Sequence, residues 1–256
     1  MGTSQSKPSP PGGSPLVPPW ADQDPPPPDQ PQPPPGADVL PASPLAGTRR
    51  ALRDYMGTGD VARGRTALGR YARAMGGGGA SARHARAART GGAAIGCFAA
   101  AARGQPGADG FDLGQLAGLP MEAAIDAIVD RFCPPGILDE ELVRAAITEA
   151  LVESLDGADV FDPAAIDDRT VVIATVCFVA ELVFASVMAE QGHSADQVDP
   201  ATAVRRENAL RDLVREVADH VATPIVQRNG GALAPAQIEN IVVEITSTVY
   251  GELAEW

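Results

Sequence analysis

The chain has 256 residues and a formal net charge of −13, and that excess of acid argues against a protein whose whole surface serves nucleic acid. Sixteen of its 24 prolines fall within residues 1–48, so this stretch cannot donate backbone hydrogen bonds at many positions and contributes little to a core. Cys97, Cys133 and Cys177 are far apart and sit among apolar neighbours, which excludes a disulfide framework or a cysteine metal site and suits a reducing cytoplasm.

Charge is divided along the chain. Residues 1–48 set Lys7 against Asp22, Asp24, Asp29 and Asp38 for −3, residues 49–103 set eleven arginines against Asp54 and Asp60 for +9, and residues 104–256 sum to −19. The N-terminus has one lysine and no continuous apolar stretch before Pro18, which argues against a secretory signal peptide.

In chain order, residues 1–44 read as an extended, disordered Pro-rich tail. Residues 45–104 read as a Gly/Arg/Ala-rich, partly helical segment. Leu52, Tyr55, Met56, Val61, Leu68, Tyr71 and Met75 recur at helical spacing. The run Gly76–Gly79 breaks the pattern, and Gly91, Gly92 and Gly96 are expected to interrupt the Ala-rich and Arg-rich stretch beyond it.

Residues 105–256 read as an acidic all-α helical domain. Pro120 starts a stripe of Met121, Ala124, Ile125, Ile128, Val129 and Phe132, and Pro134-Pro135-Gly136 ends it. Leu138, Leu142, Val143, Ile147, Leu151 and Leu155 make a second, with Asp139, Glu140 and Glu141 where the helix dipole favours negative charge. Asp162-Pro163 is expected to open a helix running to about Gly192, Asp199-Pro200 another, and Ala234-Pro235 the last. The fold class is therefore an all-α C-terminal bundle behind a disordered tail.

Residues 170–189 hold sixteen apolar side chains in twenty and have the length of a membrane span. Glu181 near the centre, and the absence of a flanking basic cluster, favour instead the central helix of a bundle, with no stable membrane insertion. The glycine run lacks the Gly-Lys-Ser or Gly-Lys-Thr of a phosphate loop. Arg83, Arg86, Arg89 and Arg103, with His84, are candidate polyanion contacts, set against a solvated or partner-facing helix face. His84, His193 and His220 are too dispersed to suggest a metal. Asp167-Asp168 and Glu140-Glu141 fall where capping explains them. No catalytic constellation emerges, and the chain reads as a non-enzyme.

The tail holds the sharper chemistry. Removal of Met1 exposes the α-amine of Gly2, whose pKa of about 7.7 to 8 leaves a nucleophilic fraction at neutral pH. Met1-Gly2-Thr3-Ser4-Gln5-Ser6 also fits the N-myristoylation pattern, and a single acyl chain would anchor only marginally. Leu16-Val17-Pro18-Pro19-Trp20 is a compact apolar word in a polar tail, suited to docking on a partner or to packing on the chain's own helices.

Met1-Gly2-Thr3-Ser4, the spacer, Leu16-Val17-Pro18-Pro19-Trp20-Ala21-Asp22 and the Gly/Arg-rich segment from Gly59-Asp60 to Tyr71-Ala72-Arg73 resemble the QatB component of the bacterial Qat antiphage defence system. The resemblance implies a non-enzymatic subunit working beside a P-loop ATPase, a QueC-like enzyme and a TatD-like nuclease. It implies no cofactor, but a 7-deazaguanine joined covalently to Gly2, with Thr3 and Ser4 entering the partner's pocket and Leu16–Trp20 forming a second contact.

Overall fold

The computed structural model describes residues 45–78, 82–107, 110–136, 139–155, 158–192, 198–229 and 233–256. Gly2, Thr3, Ser4, Leu16, Val17, Pro18, Pro19, Trp20 and His193 lie outside them. The described residues contain eight α-helices and no strand, only an isolated bridge between Pro120 and Val160. They are α1 (Ala46–Thr58), α2 (Val61–Ala74), α3 (Ala82–Ala101), α4 (Met121–Phe132), α5 (Glu140–Ser154), α6 (Asp168–Met188), α7 (Pro200–Arg228) and α8 (Ile238–Ala254).

Local chemistry explains most of the boundaries. Gly59 closes α1 in the left-handed region at φ 71°, and the Asp60 side chain accepts from Arg63 N–H to open α2, so one Gly-Asp pair makes both caps of a helical hairpin. Asp199 caps α7 by accepting from Thr202 N–H at 3.0 Å, with Pro200 in the first turn as anticipated.

Two starts differ from expectation. Asp162-Pro163 opens only a short 3₁₀ turn, Pro163–Ala165. α6 begins five residues later, because Asp167 and Thr170 form a reciprocal capping box that fixes the helix start more strongly. Pro235 likewise stands in a turn, and α8 begins at Ile238.

α6 is the axis of the bundle. Val171, Thr175, Phe178, Ala180, Leu182 and Val183 are all buried, with α5 and α7 as extensive neighbours and α3 and α8 alongside. Among the described residues one helix, α6, is long and apolar enough to cross a membrane, and 72% of its apolar window is covered by the rest of the protein. Its buried hydroxyls are satisfied within the helix, Thr175 donating to Val171 O at 2.8 Å and Ser186 to Leu182 O at 2.6 Å.

The expected interruption of α3 does not occur. α3 runs unbroken through Gly91, Gly92 and Gly96, which form its contact face. A β-carbon at Gly92 would lie 2.8 Å from Glu239 Cα, and one at Gly96 2.9 Å from Ile238 Cγ2. The close approach to α8 recovers in packing what the glycines lose in propensity.

Ser43–Trp256 forms one unit, and Leu52, Tyr55, Leu68, Ile95 and Phe98 share a hydrophobic core with Phe178, Val214 and Ile245. Tyr55 of α1 donates its hydroxyl to Arg206 O of α7 at 2.6 Å, and Arg206 donates back to Met56 O. Hydrophobic burial and these ties make the arginine-rich helices part of the body.

Candidate functional site

His84, expected on a solvated face, is 4% exposed. Its ring lies 4.5 Å from that of Tyr250 and 6.5 Å, edge-on, from that of Tyr71. The helix period explains the placement: His84, Ala87, Ala88 and Gly91 share the inner face of α3. Sequence reading missed the site because its partners come from α2 and α8.

The same end of the bundle encloses a cavity of about 50 Å³, lined among others by Tyr71, His84, Asp139, Ser186 and Glu190. Asp139 is the only non-glycine among the described residues with positive φ, 59°, the left-handed conformation tolerated best by short polar side chains. The space admits a water but no organic substrate. This cluster can hold a polar end of the bundle together.

A second cluster joins α5, α6 and α7. Glu181, 15% exposed, faces Arg211 Nε at 3.0 Å, without the in-line geometry of a hydrogen bond. The Arg211 guanidinium also lies over the Phe184 ring at 4.6 Å. Burial raises the Glu181 pKa, Arg211 opposing. Nearby, Arg215 pairs with Glu153 and points a nitrogen at Cys177 Sγ at 3.4 Å. The arginine hydrogen bond holds the Glu153 carboxyl below its ordinary value. Each carboxylate therefore has a cation partner.

Burial pushes the Cys133 thiol up to about 11 and the Cys177 thiol up to about 12, so both are protonated and poorly nucleophilic at neutral pH. Arg144 fastens the end of α4 to α5, pairing with Asp130 at 2.6 Å and donating to Cys133 O at 2.9 Å. Among the described residues no group of three or more His, Cys, Asp or Glu is arranged to hold a metal.

Of the arginines singled out in sequence, Arg86 and Arg89 are exposed on α3, with no ion pair to a described residue; the Arg83 side chain lies outside the described set. The structure brings neither of them to the cavity beside His84.

No curated protein and no solved structure matches the chain. Residues 76–253, from the turn after α2 nearly to the end of α8, match the family model described as Qat anti-phage system associated protein QatB. That span takes in α3 to α8, the helices that build the core around α6, and the chain accordingly belongs to the QatB family of the Qat anti-phage system.

Proposed function

We propose that this chain is a non-catalytic adaptor and substrate subunit of a cytoplasmic Qat defence assembly. Its helical body docks partner subunits, a P-loop ATPase and a TatD-like nuclease among them, while residues 1–44 carry the amine of Gly2 to a QueC-like enzyme. A polyproline-like tether extends about 3.1 Å per residue. Thr3 and Ser4 follow Gly2 into the enzyme's pocket, and Leu16–Trp20 makes a second contact at a set distance.

The chemistry is acyl transfer. The carboxylate of a 7-deazaguanine attacks the α-phosphorus of ATP on the enzyme, forming an acyl adenylate and releasing pyrophosphate. The neutral Gly2 amine attacks the acyl carbon, the C–N bond forms, the bond to AMP breaks, and the nitrogen releases a proton. At an amine pKa of about 7.7 to 8 the neutral fraction at pH 7.5 is substantial. Glycine offers no side chain to obstruct the approach.

The observation that carries this reading is the joint presence of Gly2-Thr3-Ser4 and Leu16–Trp20 in a chain whose body belongs to the Qat system. The ionisable clusters of that body support it, since they are engaged in caps and ion pairs. Intact-mass measurement after co-expression with the full cassette, with and without the QueC-like partner, tests the proposal. An adduct on Gly2 that depends on that partner, and is absent in Gly2→Ala, is expected. Unmodified Gly2, retained Met1 or an acyl mass in its place would overturn it, the last in favour of a lipid-tethered protein.

A further inference from the structure

We propose that the outward face of the α1–α2 hairpin binds the phosphate backbone of nucleic acid through Arg50, Arg53 and Arg63, with Arg70 beside them. This is independent of the reading of Gly2. It rests on where the fold leaves its cations unneutralised.

The hairpin carries seven arginines against Asp54 and Asp60. Arg50, Arg53, Arg63 and Arg70 are exposed, and none has an ion pair with a described residue. Elsewhere Arg144, Arg211, Arg215 and Arg228 pair with Asp130, Glu181, Glu153 and Glu244, while Arg86 and Arg89 of α3 are exposed without such a pair, so the hairpin is distinguished by four exposed arginines gathered on two adjoining helices. A chain of net charge −13 does not leave these cations unpaired for want of carboxylates. Asp54 stands four residues after Arg50, the spacing of a helical ion pair, yet the two do not pair.

Geometry sets the four on adjoining stripes. Arg50 and Arg53 are one turn apart on α1, and Arg63 and Arg70 two turns apart on α2. Gly59-Asp60 reverses the chain between the helices. Arg70 Nη1 donates to Gly47 O at 3.2 Å, bringing the α2 stripe beside the start of the α1 stripe. The remaining hairpin arginines have other work. Arg49 pairs with Glu190 at 2.8 Å, Arg65 lies over the Trp256 ring at 5.0 Å, and Arg73 donates to Ala254 O at the end of α8.

The choice of occupant comes from the anchors the face lacks. Protein interfaces centre on buried Trp, Tyr and Arg anchors seated together in well-packed pockets, and membrane-surface helices insert apolar side chains beside their cations. The hairpin exposes one large apolar side chain, Val61, at 53%. A face of guanidinium groups without anchors matches a phosphate backbone, which asks for charge and is read without base contacts. Three or four contacts imply a modest affinity that falls about 40- to 150-fold between 50 and 200 mM salt.

The test is fluorescence anisotropy of the full chain with a labelled 30-base-pair DNA duplex at several NaCl concentrations. Binding without sequence preference is expected. Arg50→Gln/Arg53→Gln/Arg63→Gln should weaken it at least tenfold and flatten the salt slope by about 3, with an unchanged thermal melt. The matching triple lysine variant should stay within a few-fold of wild type. No binding at 50 mM NaCl, equal binding by the glutamine variant, or equal loss in both variants would overturn the proposal. So would binding to phosphatidylserine vesicles in preference to DNA, or a dimer in light scattering that the glutamine variant dissolves.

Discussion

The ring of Phe178 in α6 fills the space that a side chain at Gly91 of α3 would occupy: a β-carbon there would lie 2.0 Å from Phe178 Cζ. The ring is fully buried and belongs to the axial helix, so it cannot swing away without opening the core. An apparent weakness of α3 is therefore a place where α3 and α6 are closely packed.

Gly91→Ala should lower stability by about 2–3 kcal/mol, because overpacking a well-filled core outweighs the helix propensity gained. Gly57 provides the control. It is also helical, but a β-carbon there meets nothing within 4 Å, and Gly57→Ala should stabilise by about 0.5–1 kcal/mol. Urea melts of the two variants should move in opposite directions; movement in the same direction refutes the packing account.

Acid sensitivity should trace in part to two caps. Hydrogen bonds from the Thr170 backbone and hydroxyl hold the Asp167 carboxyl below its ordinary value, and the Thr202 hydroxyl and backbone do the same for Asp199. A depressed folded pKa gives stability that is complete above the unfolded value of about 3.9 and is lost as pH falls through the folded one. Asn caps a helix without titrating. Asp167→Asn/Asp199→Asn should thus flatten the melting-temperature profile between about pH 4 and pH 2, and an unchanged acid limb would count against it.

Glu181 should show the opposite sign. Burial raises its folded pKa, so its contribution to stability declines as pH rises from the unfolded value of about 4.3 through the folded one. Glu181→Gln should be as stable as wild type or more so at pH 7, and should leave phage defence intact. Arg211→Gln should cost about 1–2 kcal/mol, less than for a fully enclosed pair, since Arg211 is 39% exposed. Loss of defence in a folded Glu181→Gln protein would instead make this carboxylate catalytic.

Cys97, Cys133 and Cys177 are buried thiols in no disulfide, and the raised pKa values of Cys133 and Cys177 suppress the reactive thiolate. A thiol-exchange reagent at pH 7.5 should label Cys133 and Cys177 slowly in the native protein and rapidly in denaturant. Rapid native labelling of either would show that its enclosure opens readily.

Much of the fold was legible because its signals are local. The stripe from Met121 to Phe132, the Asp199-Pro200 cap and the carboxylates opening α5 all act within a turn or two of themselves. Asp162-Pro163 misled because a nearby capping box competes for the same start. His84 was legible only as a polar side chain, since its burial depends on Tyr71 and Tyr250, 13 residues before and 166 after it.

The sequence by itself determined the helical class, the caps and the division of charge, since periodicity and capping depend on neighbours along the chain. Only the tertiary structure decided that the glycines of α3 are contacts, that the arginine-rich helices join the core, and which arginines find carboxylates. Those outcomes depend on distances between segments far apart in sequence, and packing sets them.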